Sequence, residues 1–526
     1  MPRRPAVLLL ICVAVASSTA SPAAAQPRVP PGPVPRATCG PGSLPETGMQ
    51  GRIEPTDVTS GRAAVGYTCN TEEIGHFASR AGWKMARYGD CAYYNADPGG
   101  VPLGLVLNPR PGTYVLDVSN PRQPVETDFL RTPAMASPHE SMSIDAERGL
   151  LYAVFANLAT APGSLEIWDL KPDCRHPRLV SNLPSSLLGH EGTISRDGKT
   201  YYAGSLYAHT LTAVDVTNPL APTLISLEEV KSHGMGTNPD GTRLYDTVKA
   251  NDAAPGLVIY DTTEIQQRKP GARFRQISTL AWPERSTPQH AFHITIDGHP
   301  YLVETDEFGD GETIGAARII DIADETKPRV VSNVRLEVHM PANQATVADD
   351  TTPLLGGPYT GHYCSVPSYV DPGILACSML RSGVRVFDIR DPHHPQEIAY
   401  FSPPAVQGSA LSGDLEAAFH TGANVEFMRE RGEMWVTGQE TGFHVVRFTN
   451  GVWPFTSAPA APPSEGGMGG EPAAGPATPT QPAASTGRAG GPLAATGLPI
   501  GGTLLAVVVA AAAFTLARHR RRYLPG

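Results

Sequence analysis

Residues 114–124 read YVLDVSNPRQP, an apolar run that ends in Asp and leads into an Asn-Pro turn. The same pattern returns six more times. The copies are EIWDLKPDCRHP (166–177), TAVDVTNPLAP (212–222), VIYDTTEIQQRKP (258–270), RIIDIADETKP (318–328), RVFDIRDPHHP (385–395) and HVVRFTNGVWP (444–454), the last without the Asp. Alternating apolar residues bounded by turn-forming residues indicate β-strands.

Each copy belongs to a longer repeated unit. A second short strand, such as CAYYN or MWVTG, precedes every copy, and a third follows each of the first six. A unit of about 45–65 residues with about four strands is typical of a propeller blade. We therefore predict an all-β, seven-bladed β-propeller over residues 79–450. The seventh copy has no outer strand of its own, so we expect the N-terminal arm, 26–78, to close that blade with residues 61–69.

The repeated strings YVLDVSNP, TAVDVTNP and VFDIRDP resemble those of the LVIVD-repeat proteins, a bacterial propeller family. The resemblance covers most of residues 79–450. It implies the fold and does not specify a reaction. The pattern is more distantly similar to the selenium-binding protein family, which includes copper-dependent methanethiol oxidases.

The two ends of the chain carry predicted targeting segments. Residues 1–25 combine Arg3 and Arg4 with a short apolar run and an Ala-Ala-Ala end, which is the pattern of a secretory signal peptide. Residues 498–517 contain no charge and are long enough to cross a bilayer as a helix. The basic tail at 518–526 predicts a cytoplasmic end by the positive-inside rule, so the bulk of the chain is expected outside the cell.

A sorting motif is predicted just before this apolar span, at Leu493, Ala494, Ala495, Thr496 and Gly497. The motif, span and basic tail together resemble the sortase signal of high-GC Gram-positive bacteria. That resemblance implies cleavage after Thr496 and covalent attachment to peptidoglycan, and a plain membrane anchor is the alternative. The Ala-, Pro- and Gly-rich residues 451–492 then form a stalk. Both alternatives place the protein on the extracellular side of the envelope of a Gram-positive bacterium.

Six histidines recur at the same point of successive units, just before the predicted innermost strand. They are His139, His190, His233, His290, His362 and His420, and His293 is an additional histidine in the fourth of these segments. The innermost strand of a blade lines the central channel, so six imidazoles could converge at the channel mouth. Neutral imidazole is a ligand for zinc, copper and iron, and a site for one of these metals is one interpretation.

The other interpretation is structural, because a repeat also duplicates residues that its own blade needs for packing. It predicts that each histidine bonds within its blade, whereas a metal site requires imidazoles directed at one shared point. Glu140 and Glu191 each follow one of these histidines, and Glu304, Asp306 and Glu307 follow the YLVET strand. Such carboxylates could orient imidazoles from a second shell or lie in solvent.

Six cysteines remain after the signal peptide, an even number that favours disulfides in an exported protein. Cys364 and Cys377 lie on successive strands joined by a tight turn, so we predict a disulfide between them. Cys39, Cys69 and Cys91 are candidates to join the arm to the first blade, which would leave Cys174 free.

Composition narrows the functional classes. The formal net charge is −10, which argues against a nucleic-acid partner because such a protein needs a basic surface. Three hypotheses remain: a surface binding protein with a metal at the channel mouth, a metal-dependent oxidoreductase or hydrolase using the same histidines, and an interaction scaffold with structural histidines. The partners would be peptidoglycan or membrane through the anchor, and a surface protein or glycan.

Overall fold

The computed structural model of the protein describes residues 32–96, 110–155, 163–186, 189–206, 208–248, 256–282, 286–307, 316–350, 359–409 and 415–454. The predicted signal peptide, sorting motif, apolar span and basic tail, and the stalk beyond residue 454, lie outside these residues. Within the described ranges, no helix is long and apolar enough to cross a membrane.

An aspartate closes the turn in six of the seven repeats. In each case the Asp Oδ1 accepts a hydrogen bond from the backbone N–H two residues later, at 2.8–3.0 Å. The pairs are Asp117 with Ser119, Asp169 with Lys171, Asp215 with Thr217, Asp261 with Thr263, Asp321 with Ala323 and Asp388 with Arg390. Such an Asx turn ends the strand at a fixed residue, which explains why the repeat carries Asp there.

In the described ranges, seven antiparallel sheets of four or five strands are the seven predicted blades, and one further sheet has only two strands. The arm contributes β1 (Tyr67–Cys69) and β2 (Thr71–Phe77). Blade 1 contains β3 (Met85–Tyr88), β4 (Cys91–Asn95), β5 (Thr113–Asp117) and β6 (Val125–Leu130). Blade 2 contains β7 (Ser143–Asp145), β8 (Leu150–Val154), β9 (Gly163–Asp169) and β10 (Arg178–Ser186). Blade 3 contains β11 (Glu191–Ile194), β12 (Thr200–Ser205), β13 (Thr210–Asp215) and β14 (Thr223–Glu229).

The remaining blades follow the same order. Blade 4 contains β15 (Ser232–Thr237), β16 (Arg243–Val248), β17 (Gly256–Asp261) and β18 (Arg275–Leu280). Blade 5 contains β19 (Thr287–Ile296), β20 (His299–Glu307), β21 (Ala317–Asp321) and β22 (Arg329–Val334). Blade 6 contains β23 (Tyr363–Ser365), β24 (Ile374–Ser378), β25 (Val384–Asp388) and β26 (Gln396–Ser402). The two-stranded sheet of β27 (Val406–Gln407) and β28 (Ala417–Ala418) precedes blade 7, which contains β29 (Glu426–Met428), β30 (Glu433–Gly438) and β31 (Gly442–Phe448).

Short helices connect some of these strands. The α-helices are α1 (Pro55–Ser60), α2 (Pro133–Ala136), α3 (Thr263–Gln266) and α4 (Gln344–Val347). The 3-10 helices are Arg62–Val65, Glu337–His339, Pro341–Asn343, Ala348–Asp350 and Arg429–Arg431.

The arm closes the ring, but not with the segment that the sequence suggested. Of residues 61–69 only β1 is a strand, and it pairs with β26 as a fifth strand of blade 6. The outer strand of blade 7 is β2, which pairs with β31. Asn70, between β1 and β2, has a left-handed backbone (φ 54°) and donates through Nδ2 to the Ile398 carbonyl at 2.8 Å. This anchored turn sends the chain from one blade to the next.

The core lies between the blades. Seven clusters of buried apolar side chains each combine residues of two adjacent blades, and the cluster of Tyr94, Trp435 and Phe443 joins blade 1 to blade 7. An eighth cluster, around Tyr67 and Phe419, packs the arm onto the ring. Burial of this kind stabilises by about 25 cal/mol per Å² of apolar surface, so each blade depends on both neighbours.

Three disulfides are present among the described residues. Cys364–Cys377 joins β23 to β24 and confirms the predicted cross-strand pair. Cys39–Cys69 lies within the arm. Cys91–Cys174 joins blade 1 to blade 2, so the expectation of a free Cys174 was wrong, because the turn after β9 lies against the first residue of β4. Three disulfides indicate folding in an oxidising compartment, as for an extracellular or secreted protein.

We predict that Asp117→Ala lowers the free energy of unfolding by about 1 kcal/mol, because the Ser119 N–H loses its acceptor. Asp117→Asn should lose less, since its side-chain oxygen can still accept that bond. Urea unfolding followed by circular dichroism measures both. Equal losses for the two variants would contradict a role for the turn hydrogen bond.

Candidate functional site

Five of the six repeated histidines lie within the innermost strand of their blade or a few residues before it. His190 directly precedes β11, and its N–H donates to Gly204 of its own blade at 2.8 Å. His362 directly precedes β23, and its N–H donates to Ser378 of its own blade at 3.0 Å. His233 lies within β15 and His290 within β19. His139 precedes Glu140 in the segment leading to β7, and its backbone is left-handed (φ 49°), a conformation that costs free energy in a residue other than glycine.

The side chains of four blades meet at the Glu140 carboxylate. Nε2 of His190 lies 3.2 Å from Oε2, and Nε2 of His362 lies 3.1 Å from Oε1. Nε2 of His139 is 3.5 Å from Oε1, and Nε2 of His233 is 4.0 Å from Oε2. His190 and His233 also bring their Nε2 atoms within 3.1 Å of each other. We call His139, Glu140, His190, His233 and His362 the axial cluster.

A second carboxylate approaches from blade 5. Glu307, at the end of β20, lies 3.5 Å from Nε2 of His362 and 3.8 Å from Nε2 of His233. Glu304 does not share this position. It is fully buried and paired with Arg318, which also binds Asp306 at 2.6 Å. Side chains alternate along a strand, so Glu304 and Asp306 point one way and Glu307 the other.

Backbone carbonyls orient two of the imidazoles. Nδ1 of His233 lies 2.7 Å from the Pro288 carbonyl, and Nδ1 of His362 lies 2.7 Å from the Gly422 carbonyl. A carbonyl only accepts hydrogen bonds, so each Nδ1 carries the hydrogen. When such a ring is neutral, its Nε2 atom carries an unprotonated lone pair, and in both residues the Nε2 atom is directed toward carboxylates.

Two residues that the sequence did not single out complete the surroundings. Gln289, which directly precedes His290, donates through Nε2 to Glu140 at 2.8 Å. In blade 1 the histidine position is taken by Gly82, whose N–H donates to the Asn95 carbonyl at 2.7 Å, and the ring centre of the next residue, Trp83, lies 4.7 Å from that of His362. The absence of histidine from the first repeat was visible in the sequence, but nothing there indicated that an indole covers a neighbouring imidazole.

Burial and charge set the protonation of the cluster. Burial lowers the pKa of His139 to about 4, and burial next to His190 lowers the pKa of His233 to about 3. Burial alone would lower the pKa of His190, but the charge and hydrogen bond of Glu140, together with the charges of Glu307 and Glu191, leave that pKa raised. Burial would raise the pKa of Glu140, but His139 and His190 hold it well below its usual range. The cluster thus combines an ionised carboxylate with two imidazoles, those of His139 and His233, that resist protonation and one, that of His190, that favours it.

The donor set fits a transition-metal ion. His139, Glu140 and His190 bring ligand atoms within 4.8 Å of one another and could hold a metal. Four contacts in the wider cluster, those of Glu140 with His190 and His362, of Glu307 with His362 and of His190 with His233, span 3.1–3.5 Å. Ligand atoms about 2.0–2.1 Å from a tetrahedral metal are about 3.3 Å apart. Lone pairs facing carboxylates repel unless a positive charge, either a proton or a metal ion, lies among them.

The other histidines of the predicted set lie elsewhere. Nδ1 of His290 lies 2.5 Å from Oε1 of Glu191, a buried carboxylate of blade 3. His293 stacks on Tyr245, with ring centres 6.0 Å apart. His420 is buried in blade 7, where its carbonyl accepts the Gln439 N–H. The axial cluster therefore takes four of the seven predicted imidazoles and one of the five carboxylates named from the sequence, and a second of these, Glu307, lies beside it.

The fold and the cluster together define a β-propeller with an imidazole–carboxylate group on its axis. The chain matches no family model and no curated protein.

Solved structures resemble the chain at low identity. A periplasmic gluconolactonase from Pseudomonas aeruginosa is 13% identical, with coverage of 68% of this chain and 99% of that chain and a TM-score of 0.44. A protein from Lactobacillus plantarum is 13% identical, with coverage of 67% and 98% and a TM-score of 0.44. The β-propeller domain of a Myceliophteria thermophila protein is 11% identical, with coverage of 72% and 100% and a TM-score of 0.44. These likenesses assign no activity.

We predict that the metal-free protein loses stability as pH falls from 7 to 5. Unfolded histidines take up protons near pH 6.5, whereas folded His139 and His233 resist protonation down to about pH 4 and 3. The unfolded state therefore binds more protons in this range, which lowers its free energy relative to the folded state as the pH falls. His190, whose pKa is raised, acts in the opposite direction.

His233→Asn should reduce the slope of the unfolding free energy against pH by about 1.4 kcal/mol per pH unit near pH 5, which corresponds to one proton. Urea unfolding at several pH values gives this slope. An unchanged slope would contradict the burial of a neutral imidazole at this position.

Proposed function

We propose that this protein is a cell-surface β-propeller that binds one transition-metal ion, copper, zinc or iron, at the axial cluster. The observation that carries the proposal is the pair of imidazoles from blades 4 and 6. Both have Nδ1 tied to a backbone carbonyl and Nε2 aimed at Glu140 and Glu307. We also propose, from the repeated motif, that the chain is an LVIVD-repeat protein.

Some residues of the cluster would bind the ion directly, and Gln289 would orient one of these ligands. His190, His233 and His362 would supply neutral nitrogen ligands, and Glu140 would supply an oxygen ligand that also lowers the net charge of the bound ion. Gln289 would hold the Glu140 carboxylate in place through its 2.8 Å hydrogen bond. Outer partners of this kind fix the orientation of ligands and raise metal affinity. A bound ion supplies Lewis acidity or redox chemistry at the channel axis.

Titration calorimetry of the chelator-treated protein with Zn²⁺, Cu²⁺ and, without oxygen, Fe²⁺ tests the proposal. We expect at least one of these ions to bind at one equivalent per chain. His362→Gln and His233→Gln should each weaken binding by about 100-fold or more, since a lost ligand should cost at least as much as a lost outer partner. His176→Gln is the matched control, because that imidazole is exposed on blade 2.

Circular dichroism of each variant separates loss of a ligand from loss of folding. If no ion binds stoichiometrically, or if the folded variants bind like the wild type, the cluster is held together by a shared proton and the proposal fails.

We further propose that the protein is exported and held at the cell envelope by its C-terminal end. The support is the pattern of residues 1–25 and 493–526 in the sequence, together with the three disulfides of the propeller. Either peptidoglycan or the membrane would then hold the propeller outside the cell.

Thr496→Ala separates these two anchors. If a sortase cuts after Thr496, cell fractionation should show the wild-type chain in the wall fraction and the variant in the membrane fraction. Ala495→Ser, at the variable position of the motif, should behave like the wild type. A wild-type chain found only in the membrane fraction would show that the segment is a plain anchor.

A further inference from the structure

A histidine–carboxylate pair outside the axial cluster faces the central channel. Glu191 is the first residue of β11 in blade 3, and His290 lies within β19 of blade 5. Nδ1 of His290 lies 2.5 Å from Oε1 of Glu191. Because an ionised carboxylate only accepts hydrogen bonds, Nδ1 carries the hydrogen of this bond. When the ring is neutral, its Nε2 atom then carries a lone pair.

The carboxylate reaches the imidazole across blade 4, at a glycine. A Cβ atom at Gly234 would overlap Oε2 of Glu191 and the Gln289 carbonyl oxygen, so a larger residue there would displace the carboxylate from the ring. Glu191 is fully buried, and the Lys84 ammonium lies 3.8 Å from its Oε1 atom. This ammonium supplies the positive charge that a buried carboxylate needs.

The other ring nitrogen of His290 is open to the channel. The side chain is 14% exposed and lines two cavities, of about 340 Å³ and about 600 Å³, which are sizes that suit small molecules. Among the described residues, no hydrogen-bond partner reaches Nε2, and that atom is not fully buried. The lone pair is therefore accessible to a molecule in the channel.

Apolar and aromatic side chains form the wall beside this imidazole. Ile144, Phe292 and Tyr369 line both cavities. The rings of Phe292 and Tyr369 have their centres 6.1 Å apart and are nearly perpendicular. Such surfaces favour a substrate with a flat apolar body.

The charges that line these cavities are balanced. In the smaller cavity, Lys84 faces Glu191, and Arg87 lies 4.0 Å from Glu426. The wider cavity is lined by equal numbers of acidic and basic residues, namely Asp145, Glu147 and Asp197 with Arg148, Arg196 and Lys199. The lining therefore favours an uncharged substrate.

We propose that His290, oriented by Glu191, is a general base that takes a proton from a small uncharged substrate with a flat apolar body, bound in the channel. The proton moves to Nε2, and the electron pair of the broken bond stays on the substrate. Glu191 stabilises the imidazolium that forms. This activity goes beyond metal binding, because neither residue belongs to the axial cluster and no metal takes part in the transfer.

The probe is 5-nitrobenzisoxazole, which is flat and uncharged and needs only a base to react. When the base removes the proton on carbon, the C–H electron pair completes a nitrile, the N–O bond breaks and a coloured phenolate is released. We expect the chelator-treated full chain to show saturable turnover above the rate in buffer, measured from the absorbance of the phenolate.

His290→Gln should lower kcat/KM by about 100-fold or more, which is the usual contribution of a general base. Glu191→Gln should lower kcat by about tenfold or more and leave KM unchanged, because this carboxylate holds the ring and does not touch the substrate. His176→Gln removes an exposed imidazole of blade 2. It is the matched control for catalysis by surface histidines and should react like the wild type.

Circular dichroism of each variant checks its folding. If His290→Gln does not fold, Ile144→Trp fills the same cavities with His290 in place and should abolish turnover. The proposal is overturned if the wild type shows no saturable turnover, if folded His290→Gln or Ile144→Trp reacts like the wild type, or if Glu191→Gln keeps the wild-type kcat. The chain is free of metal throughout, so these outcomes are independent of the titration that tests metal binding.

Discussion

A ring of seven sheets exists only if its last sheet is joined to its first, and here the pairing of β2 with β31 makes that joint. The residues just before β2 already pair with blade 6 through β1, so the arm bridges two blades before the chain enters blade 1. Closure fixes the distance of every innermost strand from the axis. Residues at equivalent positions in different blades therefore meet, although they are far apart in sequence.

Convergence on an axis concentrates charge there. Glu140 is 2% exposed, and a buried carboxylate needs compensation by hydrogen bonds or positive charge. The surrounding blades supply imidazoles and the Gln289 amide. Lys84 compensates a second buried carboxylate, that of Glu191, from 3.8 Å. The channel thus contains two adjoining polar layers, and each is built around a carboxylate that directly follows a repeated histidine.

The fold could be predicted because its signals are local. An aspartate that closes its own turn needs only two following residues, so six such turns mark six blades directly. The site could be predicted only in part, because its partners come from other blades. Glu304 and Glu307 looked equivalent in the sequence, yet strand alternation directs Glu304 to Arg318 and Glu307 to the cluster. The segment closing blade 7 was misplaced for a similar reason, since β1 and β2 are separated by a single residue that turns the chain.

The repeated histidines have different roles because their Nδ1 atoms have different partners. A carbonyl at Nδ1, as in His233 and His362, fixes the ring as a donor on that side and leaves a lone pair at Nε2. A carboxylate at Nδ1, as in His290 with Glu191, stabilises a ring that carries a hydrogen there and makes the pair a hydrogen-bonded unit of the channel wall. Duplication supplies the same side chain to each blade, and the neighbouring blade then decides its chemistry. An imidazole ring in a propeller therefore cannot be interpreted from the repeat alone, since the deciding atom belongs to another repeat.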